Sequence, residues 1–298
     1  MRAPALESAT EVEQIVRNLL RESKAWGRFP TPVDDIAAYS ELVIDRGIDL
    51  RTIDPGFIPR HLGHLTSAVR KILGLIDRRQ QKIYLDQSMP APRKTFVKLH
   101  EIGHGVLPWQ AINVGYRDDE RTISPEVPEL FEREANYFAS AALFQLERFD
   151  DELKKLPLSF GSIRALAQHF GASVHATARR YVERCPKRCA LLVFDRPAVR
   201  TEPCPMPVRN CFESPPFTGE FGRLGVPRVC DARLPFVQDI MRGRRLHEEG
   251  VVTLPTERVP SLMLNYHFFN NSYNSFVFML PPGEIMRSRI TIVDRANN

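Results

Sequence analysis

Two histidines with the spacing of metal ligands are the first feature of this sequence that could do chemistry. Residues 100–104 read His-Glu-Ile-Gly-His. Residues four apart lie on one face of a helix, so His100 and His104 can bind the same metal ion. Neutral imidazoles are strong zinc ligands, and a carboxylate beside the first ligand can take a proton from a water on the metal. The pentad therefore predicts a Zn²⁺ site at His100 and His104, with Glu101 as general base.

The flanking residues predict that the pentad lies on a helix spanning residues 92–107. Apolar residues recur at helical spacing at Phe96, Leu99, Ile102 and Val106. Pro108 ends the run. Gly103 costs a helix about 1 kcal/mol relative to alanine, which indicates that another element packs against the backbone there. The alternative is that both histidines are ordinary surface or core residues of an amphipathic helix.

A catalytic zinc needs a third protein ligand, and a second predicted helix at residues 128–144, with Ser124 as its N-cap, offers two glutamates. Glu132 is followed four residues later by Asn136 on the same face, so the carboxylate can bind metal while the amide orients a ligating histidine. Glu134 points about 200° away around the helix and is expected to face solvent. We therefore predict Glu132 as the third ligand, supported by Asn136.

Length and composition predict a globular chain of two or three domains, with 298 residues of which 43% are hydrophobic and 26% charged. The first residues lack the apolar core of a signal peptide, and no apolar run approaches the roughly 18 residues that span a bilayer. We therefore predict a cytoplasmic protein without a membrane partner. In that reducing compartment the five cysteines are expected to be thiols.

The charge is unevenly distributed along the chain. Residues 1–155 carry a net charge of −2 and residues 156–298 a net charge of +7. A basic half favours an acidic partner such as single-stranded DNA, although a solvated basic surface is the commoner explanation. The candidate contacts are Arg179, Arg180, Arg184, Lys187, Arg188, Arg242, Arg244 and Arg245.

Short elements ahead of the metal helix are expected to position it. Thr10 begins a predicted capping box and a helix to about Ser23, and Thr31 precedes a second predicted helix. Strand-like runs occur at residues 42–44, 48–50, 72–76 and 82–85. The last two predict a hairpin whose edge strand can hold an extended peptide across the metal. A mobile loop is predicted at residues 110–124.

The second half begins after a predicted boundary at residues 150–157. Residues 163–182 predict two helices joined at Gly171, with Ala167 placed as in helix-turn-helix units. Arg180 occupies a position where that motif requires an apolar residue, so a packing hairpin is at least as well supported as a DNA reader. Beyond it we predict proline-rich loops and a small sheet domain that senses a ligand or serves as a dimerisation scaffold. Its predicted elements are strands at 190–194, 262–266, 275–280 and 290–293 and a helix at 234–241.

The cysteines admit two further interpretations. Cys185, Cys189, Cys204 and Cys211 supply four thiols, but only the first pair has the spacing of a structural zinc site. Alternatively, a loop thiol, from Cys204, Cys211 or Cys230, could occupy the fourth zinc position and inhibit the enzyme.

The stretch from Phe96 to Leu107, followed by Glu132-x-x-Ala-Asn136-x-Phe-Ala, resembles the ImmA/IrrE family of bacterial metallopeptidases. The segment from Asp231 to Gln238 is similar to part of the family's GAF-like domain. One departure is Ala142-Leu-Phe-Gln145, where the family's helix often ends in Leu-Leu-Met-Pro.

The resemblance implies an α+β fold in three parts. These are a zincin-like metallopeptidase domain at 1–155, a helix-turn-helix-like hairpin at 156–188 and a GAF-like sensor domain at 189–298. It also implies zinc bound by His100, His104 and Glu132, and cleavage of a cognate helix-turn-helix repressor that controls DNA-damage, mobile-element or phage-defence genes. The competing hypothesis is a DNA-binding or ligand-sensing regulator with a structural metal site.

Overall fold

The computed structural model describes residues 6–49, 74–110, 126–195 and 205–284. The chain divides into two compact units, Met1–Phe149 with Gln168–Ser173, and Asp150–Ala167 with Val174–Asn298. Both contain helices and strands, which confirms the α+β class. None of the described helices has the length and apolar character that crossing a bilayer requires. Predictions concerning Ser124, Cys204, the 111–124 loop and the 290–293 strand lie outside the described residues.

The first unit packs helices against a small sheet. Its elements are α1 (Ala9–Glu22), α2 (Val33–Tyr39), β1 (Val43–Asp49), β2 (Gly74–Asp77), β3 (Lys82–Leu85), α3 (Ala91–Val106) and α4 (Glu126–Leu143). The next helix, α5 (Glu147–Lys154), has residues in both units. The strand order is β1-β3-β2, where β1 runs parallel and β2 antiparallel to β3. The β2–β3 hairpin is confirmed, whereas the two runs predicted at 42–44 and 48–50 contribute residues to one strand, β1.

Two capping predictions in this unit are wrong. Helix α1 begins at Ala9, so Thr10 lies inside it, and the Ser8 hydroxyl makes no capping bond. That hydroxyl donates instead to the Glu134 carboxylate at 2.6 Å. Likewise Thr31 Oγ1 donates to the carbonyl of Leu143 at 2.9 Å. Both hydroxyls therefore bond tertiary partners rather than the helix that follows them.

Helices α3 and α4 pack closely at Gly103. A Cβ on this glycine would lie 2.9 Å from Cδ1 of the Phe138 ring, which confirms the predicted close approach to the backbone. Leu99 and Ile102 of α3 are fully buried beside this contact. Leu130, predicted on the apolar side of α4, is instead 40% exposed. The close α3–α4 contact fixes the two elements that carry the predicted metal ligands.

The exit of α4 is where the sequence departs from the ImmA/IrrE pattern. Gln145 has a left-handed backbone, with φ of +49°, and a fully buried side chain. Its Oε1 accepts from the Gly27 N–H at 2.7 Å. The amide nitrogen contacts three acceptors on the same loop, the carbonyls of Ala25 and Arg28 and the hydroxyl of Thr31. A side-chain amide thus secures the end of α4.

The second unit is built on a six-stranded sheet of order β6-β5-β4-β9-β8-β7, whose paired strands are antiparallel. Its strands are β4 (Ala190–Asp195), β5 (Met206–Glu213), β6 (Val229–Cys230), β7 (Leu246–Leu254), β8 (Leu262–Asn270) and β9 (Asn274–Leu280). Its helices are α7 (Val174–Arg184), α8 (Pro215–Phe221) and α9 (Pro235–Met241), while α6 (Phe160–Phe170) has residues in both units.

Several predictions for the second half can now be compared with this unit. Helix α9 and the β8–β9 pair are confirmed. The predicted proline-rich loops are wrong in part, because β5 and α8 occupy much of that stretch, and β7 was not predicted. Helix α7 buries Ala178 and Tyr181, and the Tyr181 ring meets Phe278 of β9 edge-on. Helix α7 therefore packs on this sheet. The helix-turn-helix-like assignment of residues 156–188 and the GAF-like assignment of residues 189–298 stay predictions.

One buried polar cluster lies in the core of the second unit. The Tyr266 hydroxyl donates to Asp239 Oδ2 at 2.8 Å, and His247 Nδ1 lies 2.7 Å from the same oxygen. Arg244 pairs with Asp239 Oδ1 at 3.0 Å. A Cβ on Gly250 would lie 2.1 Å from Cζ of the Tyr266 ring. Glycine at position 250 therefore permits the ring to reach its carboxylate partner.

Candidate metal centre

Helices α3 and α4 bring the three predicted metal ligands together. His100 Nε2 and His104 Nε2 lie 3.1 Å apart. Glu132 Oε2 lies 3.2 Å from His100 Nε2, and Glu132 Oε1 lies 3.3 Å from His104 Nε2. These three residues form the one group of His, Cys, Asp or Glu side chains, within the described ranges, that could hold a metal ion.

The spacing of these atoms fits a zinc ion. Zinc binds imidazole nitrogen and carboxylate oxygen at about 2.0–2.2 Å, so two ligands at a tetrahedral angle lie about 3.3 Å apart. The three contacts, at 3.1, 3.2 and 3.3 Å, match that separation. Two imidazoles and one carboxylate are also a donor set of catalytic zinc sites, which leave one position open. The residues present therefore fit Zn²⁺.

The electrostatics of the three side chains are those of a cation site. Hydrogen bonds from His100 and His104 hold the pKa of Glu132 well below its usual range, although burial opposes them. Burial lowers the pKa of His104, but Glu132 and the nearby Glu101 raise it further, so the net shift is upward. The cluster thus has a negative potential that stabilises a positive charge, whether that charge is a proton or a metal ion.

Glu101 lies on the inner side of α3, against strand β2. Its side chain is buried, and burial raises the pKa of its carboxyl despite the two adjacent histidines. The backbone of Ile76 hydrogen-bonds this carboxylate and opposes the rise. A Cβ on Gly74 would lie 2.7 Å from Glu101 Oε1. A carboxyl of raised pKa beside a metal site has the proton affinity that a general base needs near neutral pH.

The outer contacts of the histidines differ from those predicted. Asn136 is exposed, and within the described residues it has no hydrogen bond with either histidine. Gln110 takes that place, because its Oε1 lies 2.8 Å from His104 Nδ1. Glu134 was predicted to face solvent, but it is only 3% exposed. It accepts a hydrogen bond from Gln110 Nε2 at 2.9 Å. The face of α4 that was expected to be exposed to solvent is therefore buried, and through Gln110 it contacts the metal-ligand candidate His104.

No pattern in the sequence identified Gln110. It follows the end of α3 in a stretch predicted as a polar mobile loop, yet it is 1% exposed. Its backbone carbonyl accepts from Arg78 Nη1 at 2.9 Å, and Arg78 Nη2 donates to the carbonyl of His104. Such contacts join residues distant along the chain, so local spacing does not reveal them.

Residues 62–181 match the family profile described as the IrrE N-terminal-like domain, peptidase family M78. This chain carries an ImmA/IrrE-family domain. The matched range contains His100, Glu101, His104 and Glu132, and the family implies a metallopeptidase. The resemblance predicted from the motifs is thereby confirmed.

Comparison with solved structures gives a likeness in fold. A Mycobacterium tuberculosis transcriptional regulator is similar with a TM-score of 0.54 and 12% identity, over 91% of this chain and 75% of that one. No curated protein matches the chain.

The basic residues predicted to contact DNA lie in the second unit, and at least four of the eight pair with carboxylates. These pairs are Arg179 with Glu183, Arg184 with Asp150, Arg188 with Glu220 and Glu284, and Arg244 with Asp239. Lys187, Arg242 and Arg245 are exposed, and Arg180 is half-buried. Paired guanidinium groups attract phosphate less strongly, so single-stranded DNA binding remains a prediction that these contacts do not support.

Two of the three candidate inhibitory thiols do not lie in a loop as expected. Cys211 is on strand β5 opposite Leu192, and its thiol donates to Glu213. Cys230 is on β6 and fully buried, and burial raises the pKa of its thiol to about 11. Burial likewise raises the pKa of Cys211. A zinc ligand must be a thiolate, which the raised pKa values of these two thiols disfavour. The inhibitory-thiol hypothesis stays a prediction that these strand positions do not support.

Proposed function

We propose that this protein is a cytoplasmic zinc endopeptidase that cleaves a cognate helix-turn-helix transcriptional repressor. The observation that carries the proposal is the convergence of His100, His104 and Glu132 at the separations of zinc ligands, with the buried Glu101 on the same helix. The IrrE-like domain supports the peptidase part. The repressor as substrate follows from the family resemblance.

Zinc held by these three residues would supply Lewis-acid activation of a water and of the scissile carbonyl. The chain's own contribution centres on Glu101. Its carboxylate receives the proton of the attacking water and then delivers that proton to the leaving amine of the peptide. Its burial raises the pKa of the carboxyl, which favours accepting the proton. Its contact with the Ile76 backbone holds the side chain in place between accepting and delivering.

Strand β2 offers a place for the substrate backbone. It is a terminal strand of the β1-β3-β2 sheet, and among the described residues it pairs only with β3. Glu101 lies against this strand at Gly74 and Ile76. An extended peptide that adds to the outer edge of β2 would therefore run beside the general base. An unfolded or locally extended segment of the repressor suits such an edge better than a folded helix.

The competing hypothesis is a regulator whose metal is structural. Structural zinc sites are closed by four protein ligands, whereas catalytic sites keep one position open. Within the part of the chain that the structure describes, the ligand group contains three members, His100, His104 and Glu132. This favours an open, catalytic site.

The test uses the full-length chain, zinc and the repressor encoded nearest to its gene. We expect Glu101→Gln to keep one zinc per chain and to lower cleavage at least 1,000-fold, on the order of the upper range for general-base catalysis. His104→Ala should lose both zinc and cleavage, because it removes a ligand. Glu129→Gln, an exposed position of α4, serves as the control and should change neither. Full cleavage by the Glu101→Gln chain would rule out the mechanism, and absence of cleavage by the unaltered chain would rule out this substrate.

A further inference from the structure

The proton position on His104 follows from the contacts of Gln110. Gln110 Nε2 lies 2.9 Å from Glu134 Oε2 and 3.2 Å from the carbonyl oxygen of Phe131. Both are acceptors, so the amide NH₂ must face them and Gln110 Oε1 must face His104. Oε1 can only accept, hence His104 Nδ1 carries the hydrogen across the 2.8 Å contact. In the neutral imidazole, the form that binds metal, His104 Nε2 then keeps its lone pair on the side of His100 and Glu132.

The orientation of Gln110 is in turn enforced by Glu134. This buried carboxylate accepts from Ser8 Oγ at 2.6 Å through Oε1, and from Trp109 Nε1 at 2.7 Å and Gln110 Nε2 through Oε2. Three donors, one just before α1 and two in the segment after α3, therefore converge on one side chain. A charged acceptor held this firmly leaves the Gln110 amide a single favourable orientation.

The support is one-sided between the two histidines. His100 Nδ1 is buried and, among the described residues, has no hydrogen-bond partner. His104 by contrast has both its Nδ1 contact with Gln110 and a backbone carbonyl bound by Arg78. Gln110 and Glu134 thus support His104, whereas no described residue plays the same part for His100.

We propose that Gln110 and Glu134 are positioning residues that fix the Nδ1–H tautomer and ring orientation of His104, and so set the zinc affinity of the site. The inference rests on the proposed zinc site. Partners of this kind usually change metal affinity by about 10–100-fold when removed. Glu134 gives a function to the side of α4 opposite Glu132. Its hydrogen bond from Ser8 connects this network to the start of α1.

The experiment measures the zinc dissociation constant of the full chain by competition with a chromophoric chelator. Gln110→Met keeps the length of the side chain but removes the acceptor, and we expect zinc to bind at least about tenfold more weakly. Gln145→Met is the matched control, because it makes the same substitution at another buried amide of the first unit, one that bonds Gly27 and Arg28 rather than a metal ligand. It should stay within about threefold of the unaltered chain. The second measurement is the His104 Nδ1–H resonance of the zinc-loaded chain by ¹H–¹⁵N correlation, which should move upfield in Gln110→Met.

Each outcome decides a separate point. An unaltered chain that binds no zinc would refute the proposed function itself. Zinc affinity within threefold in Gln110→Met, with an unchanged His104 resonance, would overturn the positioning role. Equal losses in Gln110→Met and Gln145→Met would overturn it too, because the general loss of a buried amide would then explain both. If Gln110→Met does not fold, Glu134→Gln tests the same hydrogen bond by changing its acceptor. Unchanged zinc affinity in that variant would also refute the inference.

Discussion

Substituting Gly103 with alanine sets two effects of similar size against each other. Alanine favours a helix by about 1 kcal/mol over glycine. The new Cβ, however, would lie 2.9, 3.1 and 3.3 Å from Cδ1, Cγ and Cβ of Phe138. A buried ring cannot yield without moving α3 from α4, and such overpacking costs about 1–3 kcal/mol. We therefore expect Gly103→Ala to lower the free energy of unfolding by roughly 0–2 kcal/mol and to weaken zinc binding.

Gly105 provides a comparison on the same helix. A Cβ there would lie 3.0 Å from the terminal methyl carbons Ile76 Cδ1 and Leu42 Cδ1. Such methyl groups can rotate away, so Gly105→Ala should retain part of the helix preference and stabilise by roughly 0–1 kcal/mol. The two substitutions should thus differ by about 1–2 kcal/mol, because only one of them meets an aromatic ring.

Tryptophan fluorescence can follow this unfolding in urea. Trp26 and Trp109 are the chain's two tryptophans and both lie in the first unit. A chelator removes the contribution of bound metal to stability. Repeating Gly103→Ala in a Phe138→Leu background should remove its cost, with a coupling of about 1 kcal/mol or more. Equal stabilisation by both alanines, or a coupling near zero, would show that the Phe138 contact does not control helix packing.

Three further predictions concern other parts of the chain. Glu132→Gln should lower the zinc occupancy measured by metal analysis at least about tenfold, because it removes a ligand. Glu129→Gln on the same helix should leave the occupancy unchanged, and similar occupancies in the two variants would exclude Glu132 as a ligand. Gly250→Ala should destabilise the second unit by about 1–3 kcal/mol in thermal unfolding, because its Cβ would overlap the Tyr266 ring, while Gly219→Ala, with open space around it, should not. Burial raises the pKa of Cys230 to about 11, so only about one thiol in a thousand is ionised at pH 8. Cys230 should therefore react with iodoacetamide at pH 8 at least about 100-fold more slowly than a small thiol, and its rate should rise with pH. Fast labelling at pH 8 would contradict its burial.

Local spacing was sufficient to predict the helices of the metal centre. Residues three and four apart share a helix face, so the pentad and its apolar stripe predicted α3, and the same logic brought Glu132 into consideration. Glu134 shows the limit of that logic. The angle around a helix separates two side chains but does not say which face is covered, and Trp109 and Gln110 cover Glu134 from another part of the chain.

The elements missed in the second half have equally local causes. Strand β5 contains Pro207, which lacks a backbone donor and is tolerated near the start of a strand, yet it suggested a loop. Strand β7 changes register between His247 and Gly250, and this bulge interrupts the alternation that predicts a strand. In both strands the pairing with neighbours prevails over the local preference of the residues.

The amide at the end of α4 restricts which residues position 145 can accept. The ImmA/IrrE pattern that this sequence resembles often has proline at this position, but proline requires φ near −65° and the backbone here has φ of +49°. Proline would also leave the Gly27 N–H without its acceptor and deprive the carbonyl of Arg28 of its donor. The two solutions are mutually exclusive, so position 145 and the loop at residues 25–31 must change together. A substitution of Gln145 by proline alone would therefore destabilise the first unit, and a chain with proline here would need other partners for that loop.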